Sequence, residues 1–139
     1  MNVKIHDLMQ KRVLTLQRHN TVTDARELVK KRRLSALPIV GSDGEVLGIV
    51  STTDLAGELN EGTPLSKVMT ERVYTIPEYN DVSMAARVMR RRKVHHVVVT
   101  KEKKIVGIIS SFDLLKLVEG HRFVAKPAPS ESRKKKRNT

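Results

Sequence analysis

The chain has no cysteine and no tryptophan, and only two tyrosines and two phenylalanines among its 139 residues. The missing cysteines exclude disulfides, thiolate nucleophiles and cysteine metal ligands together. The scarcity of rings requires an aliphatic core and leaves almost no platform for stacking nucleic-acid bases. No apolar run approaches the roughly 20 residues that cross a bilayer. Residues 1–10 lack the apolar stretch of a secretion signal, so the expected compartment is the cytoplasm. Also missing are a Gly-rich phosphate loop ending in lysine and any close set of carboxylates with a base, so the sequence argues against an enzyme.

Positive charge, in contrast, is abundant: the formal net charge is +12. Half of it lies beyond residue 120, where seven Lys or Arg face a single acid, Glu131. This tail contains Pro127 and Pro129, shows no apolar period, and ends in the run Arg133, Lys134, Lys135, Lys136, Arg137. Such a composition predicts disorder. Those five cations are candidates for salt-sensitive, poorly selective contacts with nucleic acid or an acidic partner.

The rest of the chain repeats itself. Displaced by sixty residues, Met9 falls on Met69, Arg12 on Arg72, Thr15 on Thr75, Asn20 on Asn80, Ala25 on Ala85 and Arg32 on Arg92. The displacement drops to fifty-nine after the turn at Gly41–Glu45, and then Gly48, Ser51 and Asp54 fall on Gly107, Ser110 and Asp113. The expected organisation is a first repeat over 1–60, a second over 61–120 and the tail over 121–139. Each repeat reads β-α-β-β-α. A short strand is predicted at Val13–Leu16 and Val73–Ile76, and an amphipathic helix from about Thr23 and Ser83. A strand at Ala36–Val40 and His96–Thr100 turns into a second at Val46–Ser51 and Ile105–Ser110. A final helix is predicted at about Thr52–Asn60 and Ser111–Glu119. The fold class is thus α/β (α+β), with two halves packed about a pseudo-twofold axis, because some 55 residues bury too little apolar surface to stand alone.

The segments Leu34-Ser35-Ala36-Leu37-Pro38-Ile39-Val40 and Gly48-Ile49-Val50-Ser51-Thr52-Thr53-Asp54-Leu55 resemble the signature of the CBS domain family. Gly107-Ile108-Ile109-Ser110-Ser111-Phe112-Asp113-Leu114 repeats the second of them. The pair looks like a Bateman module and covers all but the tail. The resemblance implies a free-standing regulatory module with two clefts. Its ligand would be AMP, ADP, ATP or S-adenosylmethionine, regulatory and not an obligate cofactor, and the module would signal to a client protein and often pair into homodimers. Each cleft would be composite. One would combine Leu14, Leu34, Ser35 and Ala36 with Ser110 and Asp113. The other would combine Tyr74, Val94, His95 and His96 with Ser51, Thr53 and Asp54. The aspartates would receive the ribose hydroxyls.

The residues admit blander readings. Ser-x-x-Asp is also a capping box, with serine as N-cap and the acid at the third helical position, and needs no ligand. Neighbouring residues on a strand point to opposite faces, so His95 and His96 cannot both converge on one metal, and no metal site is expected. One of them can approach a phosphate and make binding pH-sensitive; a buried, satisfied histidine is the plainer alternative. The runs Lys30–Arg33 and Arg90–Lys93 complement the dipole at helix C-termini, with Arg33 best placed to face a cleft. Phe112 stands where the first repeat has Thr53, leaving the Asp113 cleft narrower, altered or unoccupied and the Asp54 cleft the stronger candidate. The competing function is a dimerising scaffold, paired through the apolar faces of the last helices, with the basic tail supplying affinity.

Overall fold

The computed structural model describes residues 3–121, so the basic run Arg133–Arg137 lies outside the described residues. Two hairpin-centred halves follow one another. In the first, a short α1 (Ile5–Leu8) leads to α2 (Val22–Arg32), β1 (Ala36–Val40), β2 (Val46–Ser51) and α3 (Thr52–Leu55). In the second, a single 3-10 turn at Leu65–Lys67 leads to β3 (Thr75–Pro77), α4 (Val82–Arg92), β4 (His96–Lys101), β5 (Lys104–Ser110) and α5 (Ser111–Glu119).

Local chemistry sets these limits. The Thr21 hydroxyl accepts from the Asp24 N–H while the Asp24 carboxylate accepts from the Thr21 N–H, a reciprocal cap that starts α2. The backbone N–H of Thr21 holds the Asp24 carboxyl below its ordinary value. Both long helices stop on a cation in the left-handed region, Arg33 at φ 53° and Lys93 at φ 55°. The second hairpin turns on two positive-φ residues, Glu102 and Lys103, the arrangement that matches strand twist.

Two sequence expectations require correction. The segment Val13–Leu16 forms no strand: it touches β1 through one parallel bridge, Leu16 to Ile39. Its counterpart β3 pairs with β4 in parallel over three residues, and Val98 N–H donates to the Tyr74 carbonyl at 3.0 Å. Pro38 occupies the position of Val98 and has no N–H to offer the Leu14 carbonyl, so the first ladder ends early. The helix expected to reach Asn60 ends instead at Leu55. The Arg26 guanidinium captures the carbonyls of Leu55 at 2.8 Å and Gly57 at 3.0 Å, and Gly57 turns away at φ 97°.

The segments that precede each half are exchanged. Ile5 is fully buried with Ile76, Ala85, Met89, Val97, Val99 and Ile109 of the second half. Leu65 is fully buried with Val22, Leu37, Ile39 and Val50 of the first. Backbone bonds follow the same crossing, from Ile5 N–H to Asn80 O and from Leu65 N–H to Asn20 O, both 2.8 Å. Gly107 and Gly48 let the crossing segments approach. A Cβ on Gly107 would collide with the Met9 side chain and lie 3.0 Å from the Gln10 carbonyl; one on Gly48 would lie 2.7 Å from the Met69 sulfur. Each buried aliphatic side chain contributes about 1.5–3 kcal/mol, so either core loses a large share of its stability without its borrowed segment.

Candidate functional site

Each hairpin delivers its last serine to a strand-to-helix junction. Ser51 caps α3 and Ser110 caps α5. In both, the serine N–H and hydroxyl donate to one aspartate oxygen: to Asp54 Oδ2 at 2.9 and 3.1 Å, and to Asp113 Oδ2 at 2.9 and 3.0 Å. The capping-box reading of Ser-x-x-Asp is therefore correct for both repeats.

The second carboxylate oxygen separates the two. Asp113 is only 4% exposed, and its Oδ1 accepts from Gln10 Nε2 at 2.9 Å, with Lys116 Nζ at 3.9 Å. Asp54 is half-buried, and none of the described residues donates to its Oδ1. Gln10 corresponds to Thr70 in the repeat register, and a threonine hydroxyl is too short to reach across as the glutamine amide does.

Two clefts open beside these junctions. The Asp54 cleft, about 580 Å³, is lined by Ser51, Thr53 and Asp54 from the first half and by Tyr74, Val94, His95 and His96 from the second. The Asp113 cleft, about 540 Å³, is lined by Leu14, Arg33, Leu34, Ser35 and Ala36 from the first half and by Ser110 and Asp113 from the second. The structure thus brings the fourteen singled-out residues together in two groups. Both volumes suit a small organic ligand. A larger hollow of about 800 Å³ beside Tyr79 and Lys103 contains none of these residues. Phe112 does not fill the Asp113 cleft: its ring is 75% exposed and borders both openings.

Ser35, His96 and Ser110 also line both clefts, and Ser35 Oγ meets His96 Nε2 at 2.7 Å within the wall they share. Burial, reinforced by neighbouring His95, holds the His96 imidazole below its ordinary value, while Asp113 pulls the other way. The His95 ring turns aside, with Nδ1 3.4 Å from Ser111 Oγ. Among the described residues, no group of three His, Cys, Asp or Glu is placed to hold a metal ion.

Several cleft residues gave no sufficient sign in the sequence. Arg12 and Arg32 line the Asp113 cleft beside Arg33. Arg72 lines the Asp54 cleft, whereas the Arg92 guanidinium sits 5.6 Å from the centre of the Tyr74 ring. The match of Arg12 to Arg72 in the repeat register was the available signal; Gln10 carried none, because its partner lies 103 residues away.

Two hairpin halves with exchanged leading segments and a cleft on either side of their shared wall define a tandem-repeat module. The chain belongs to the CBS domain family, whose model matches residues 5–61 and 65–120. It is similar to an uncharacterized protein of Methanocaldococcus jannaschii, 34% identical over 119 residues that make up 84% of this chain and 44% of that one. It is also similar to a homoserine O-acetyltransferase of Methanosalsum zhilinae, 26% identical over 87% of this chain and 25% of the enzyme. The chain therefore spans less than half the length of these relatives. Among solved structures it resembles the CBS domain pair of protein MJ0100 in complex with 5'-methylthioadenosine and S-adenosyl-L-methionine. That likeness has a TM-score of 0.80 and 26% identity, over 86% of this chain and 98% of the other.

Proposed function

We propose that this CBS pair is a non-catalytic regulatory module that receives an adenine-containing ligand between its halves and reports occupancy to a partner protein. The observation that carries the reading is the Asp54 cleft. A half-buried carboxylate with one oxygen left unpartnered faces a pocket walled by Tyr74 and Val94. Such an oxygen suits the paired hydroxyls of a ribose, and the apolar wall suits a flat base. The adenosine compounds in the MJ0100 pair support the same chemistry, with AMP, ADP, ATP and S-adenosylmethionine as the compounds to try. Ligand binding shifts the module only through a difference in affinity between two arrangements of the halves.

Calorimetric titration with these four compounds tests the reading. One or more should bind, and Asp54→Ala should abolish binding in its cleft. A folded protein giving no heat with any of them would reject it.

A second reading concerns assembly. Phe112, Leu115 and Val118 are 75%, 55% and 56% exposed along one side of α5. An apolar stripe at this spacing on a surface helix favours a covered interface, and a homodimer is the simplest cover. Sedimentation of wild type against Leu115→Glu checks this, with dissociation to monomer expected for the variant.

A further inference from the structure

The two clefts are not electrically equivalent. Arg12, Arg32 and Arg33 line the Asp113 cleft, and none has a hydrogen-bond or ion-pair partner among the described residues. The only carboxylate there, Asp113, is buried and satisfied through Gln10 and Ser110. In the Asp54 cleft a single arginine, Arg72, faces a carboxylate that still has a free oxygen.

The asymmetry has identifiable causes. Tyr74 stands where the first repeat has Leu14, and its ring holds Arg92, the counterpart of Arg32, out of the cleft lining. Leucine has no such hold. Arg33 and its counterpart Lys93 share a left-handed conformation, φ 53° and φ 55°, yet only Arg33 lines a cleft. Complementing the helix dipole does not explain it, because Lys30 and Lys31 already serve the last turn of α2 without lining the cleft. Three exposed arginines lining one opening, whose single carboxylate is already satisfied, form a charge arrangement that suits an anion.

We propose that the Asp113 cleft is a polyphosphate site, taking the di- or triphosphate of a nucleotide on Arg12, Arg32 and Arg33, while the Asp54 cleft takes nucleosides of little negative charge. The nucleotide part rests on the adenine reading above; the anion site does not.

The test titrates the full chain with ATP, adenosine and inorganic tripolyphosphate, using wild type and the triple variant Arg12→Gln, Arg32→Gln, Arg33→Gly. All three positions are exposed, and glycine suits the conformation at 33. Circular dichroism establishes that the variant is folded. The control Arg87→Gln, Arg90→Gln, Arg91→Gln removes the same charge from a separate hollow of about 470 Å³ along α4, which these three arginines line with Ser83 and Ala86. The cleft variant should lose about a hundredfold or more in affinity for ATP and tripolyphosphate, on the scale of several lost charge-assisted bonds. The control should change either by less than about threefold, and adenosine should bind both variants as it binds wild type. Tripolyphosphate binding without any adenine compound would leave the anion site standing and remove the nucleotide reading. Adenosine binding with polyphosphate affinity equal in the variant and wild type would do the reverse. Equal weakening by the control would reduce the effect to net charge and overturn the site.

Discussion

Ser35 and His96 meet at 2.7 Å, Oγ to Nε2, and join the two repeats where their clefts adjoin. The bond can run in either direction: the hydroxyl donates to a bare Nε2, or a protonated Nε2 donates to the oxygen. Protonation of His96 therefore costs nothing in the bond itself. It costs desolvation and repulsion from His95, which is why the imidazole is held below its ordinary value.

The sign of the pH dependence follows. A histidine with a folded value below its unfolded one binds fewer protons when folded. Its contribution to stability is full above about pH 6.5 and is lost as the pH falls through the lower folded value. Urea denaturation at pH 7.5 and 5.5 should show wild type losing more stability than His96→Gln. Equal losses would place the sensitive group elsewhere.

The two capping aspartates should differ in cost. Asp113→Ala strips partners from the Ser110 hydroxyl and the Gln10 amide at a buried position and should destabilise by about 2–3 kcal/mol. Asp54→Ala removes a cap from a four-residue helix at a half-buried position and should cost about 1 kcal/mol. Their order in urea midpoint, with Asp113→Ala the lower, is the check; the reverse order would mean that Gln10 adds no stability through Asp113.

Much of this molecule is legible in its sequence because the repeat shows each element twice. The paired helices, the two hairpins and the Ser-x-x-Asp junctions all follow from the register. What escaped depends on contacts distant in the chain. Pro38 sits in a strand whose missing N–H matters only because the Leu14 carbonyl lies opposite. Arg26 ends α3 from another helix, and no local pattern announces it. Gln10 reaches Asp113 only because the leading segments cross between the halves, which the matched Met9 and Met69 hint at without stating.

That crossing predicts a contrast among glycines. In Gly107→Ala the added methyl meets Met9, which can yield, and the Gln10 carbonyl, which cannot, because it accepts from the Ile108 N–H at 3.0 Å. The expected loss is about 1–3 kcal/mol, and Gly48→Ala should behave alike against Thr70. Gly62→Ala, with only the Asn60 side chain 3.8 Å away, should stay within about 0.5 kcal/mol of wild type. Thermal denaturation of the three variants separates these outcomes, and a neutral Gly107→Ala would show that the exchanged segment is not clamped.

If Tyr74 keeps the Asp54 cleft from binding polyphosphate by holding Arg92, replacing it with the residue found at Leu14 should convert one cleft toward the other. In Tyr74→Leu the Arg92 guanidinium loses a ring contact worth about 0.5–1 kcal/mol at an exposed site. The variant should melt slightly earlier, while Arg92 joins Arg72 at the cleft mouth. Tripolyphosphate should then titrate with a second equivalent that wild type lacks, and Arg92→Gln in the same background should remove it. An unchanged stoichiometry would show that Arg92 does not serve the cleft once released, and that the ring is not what separates the two ligand preferences.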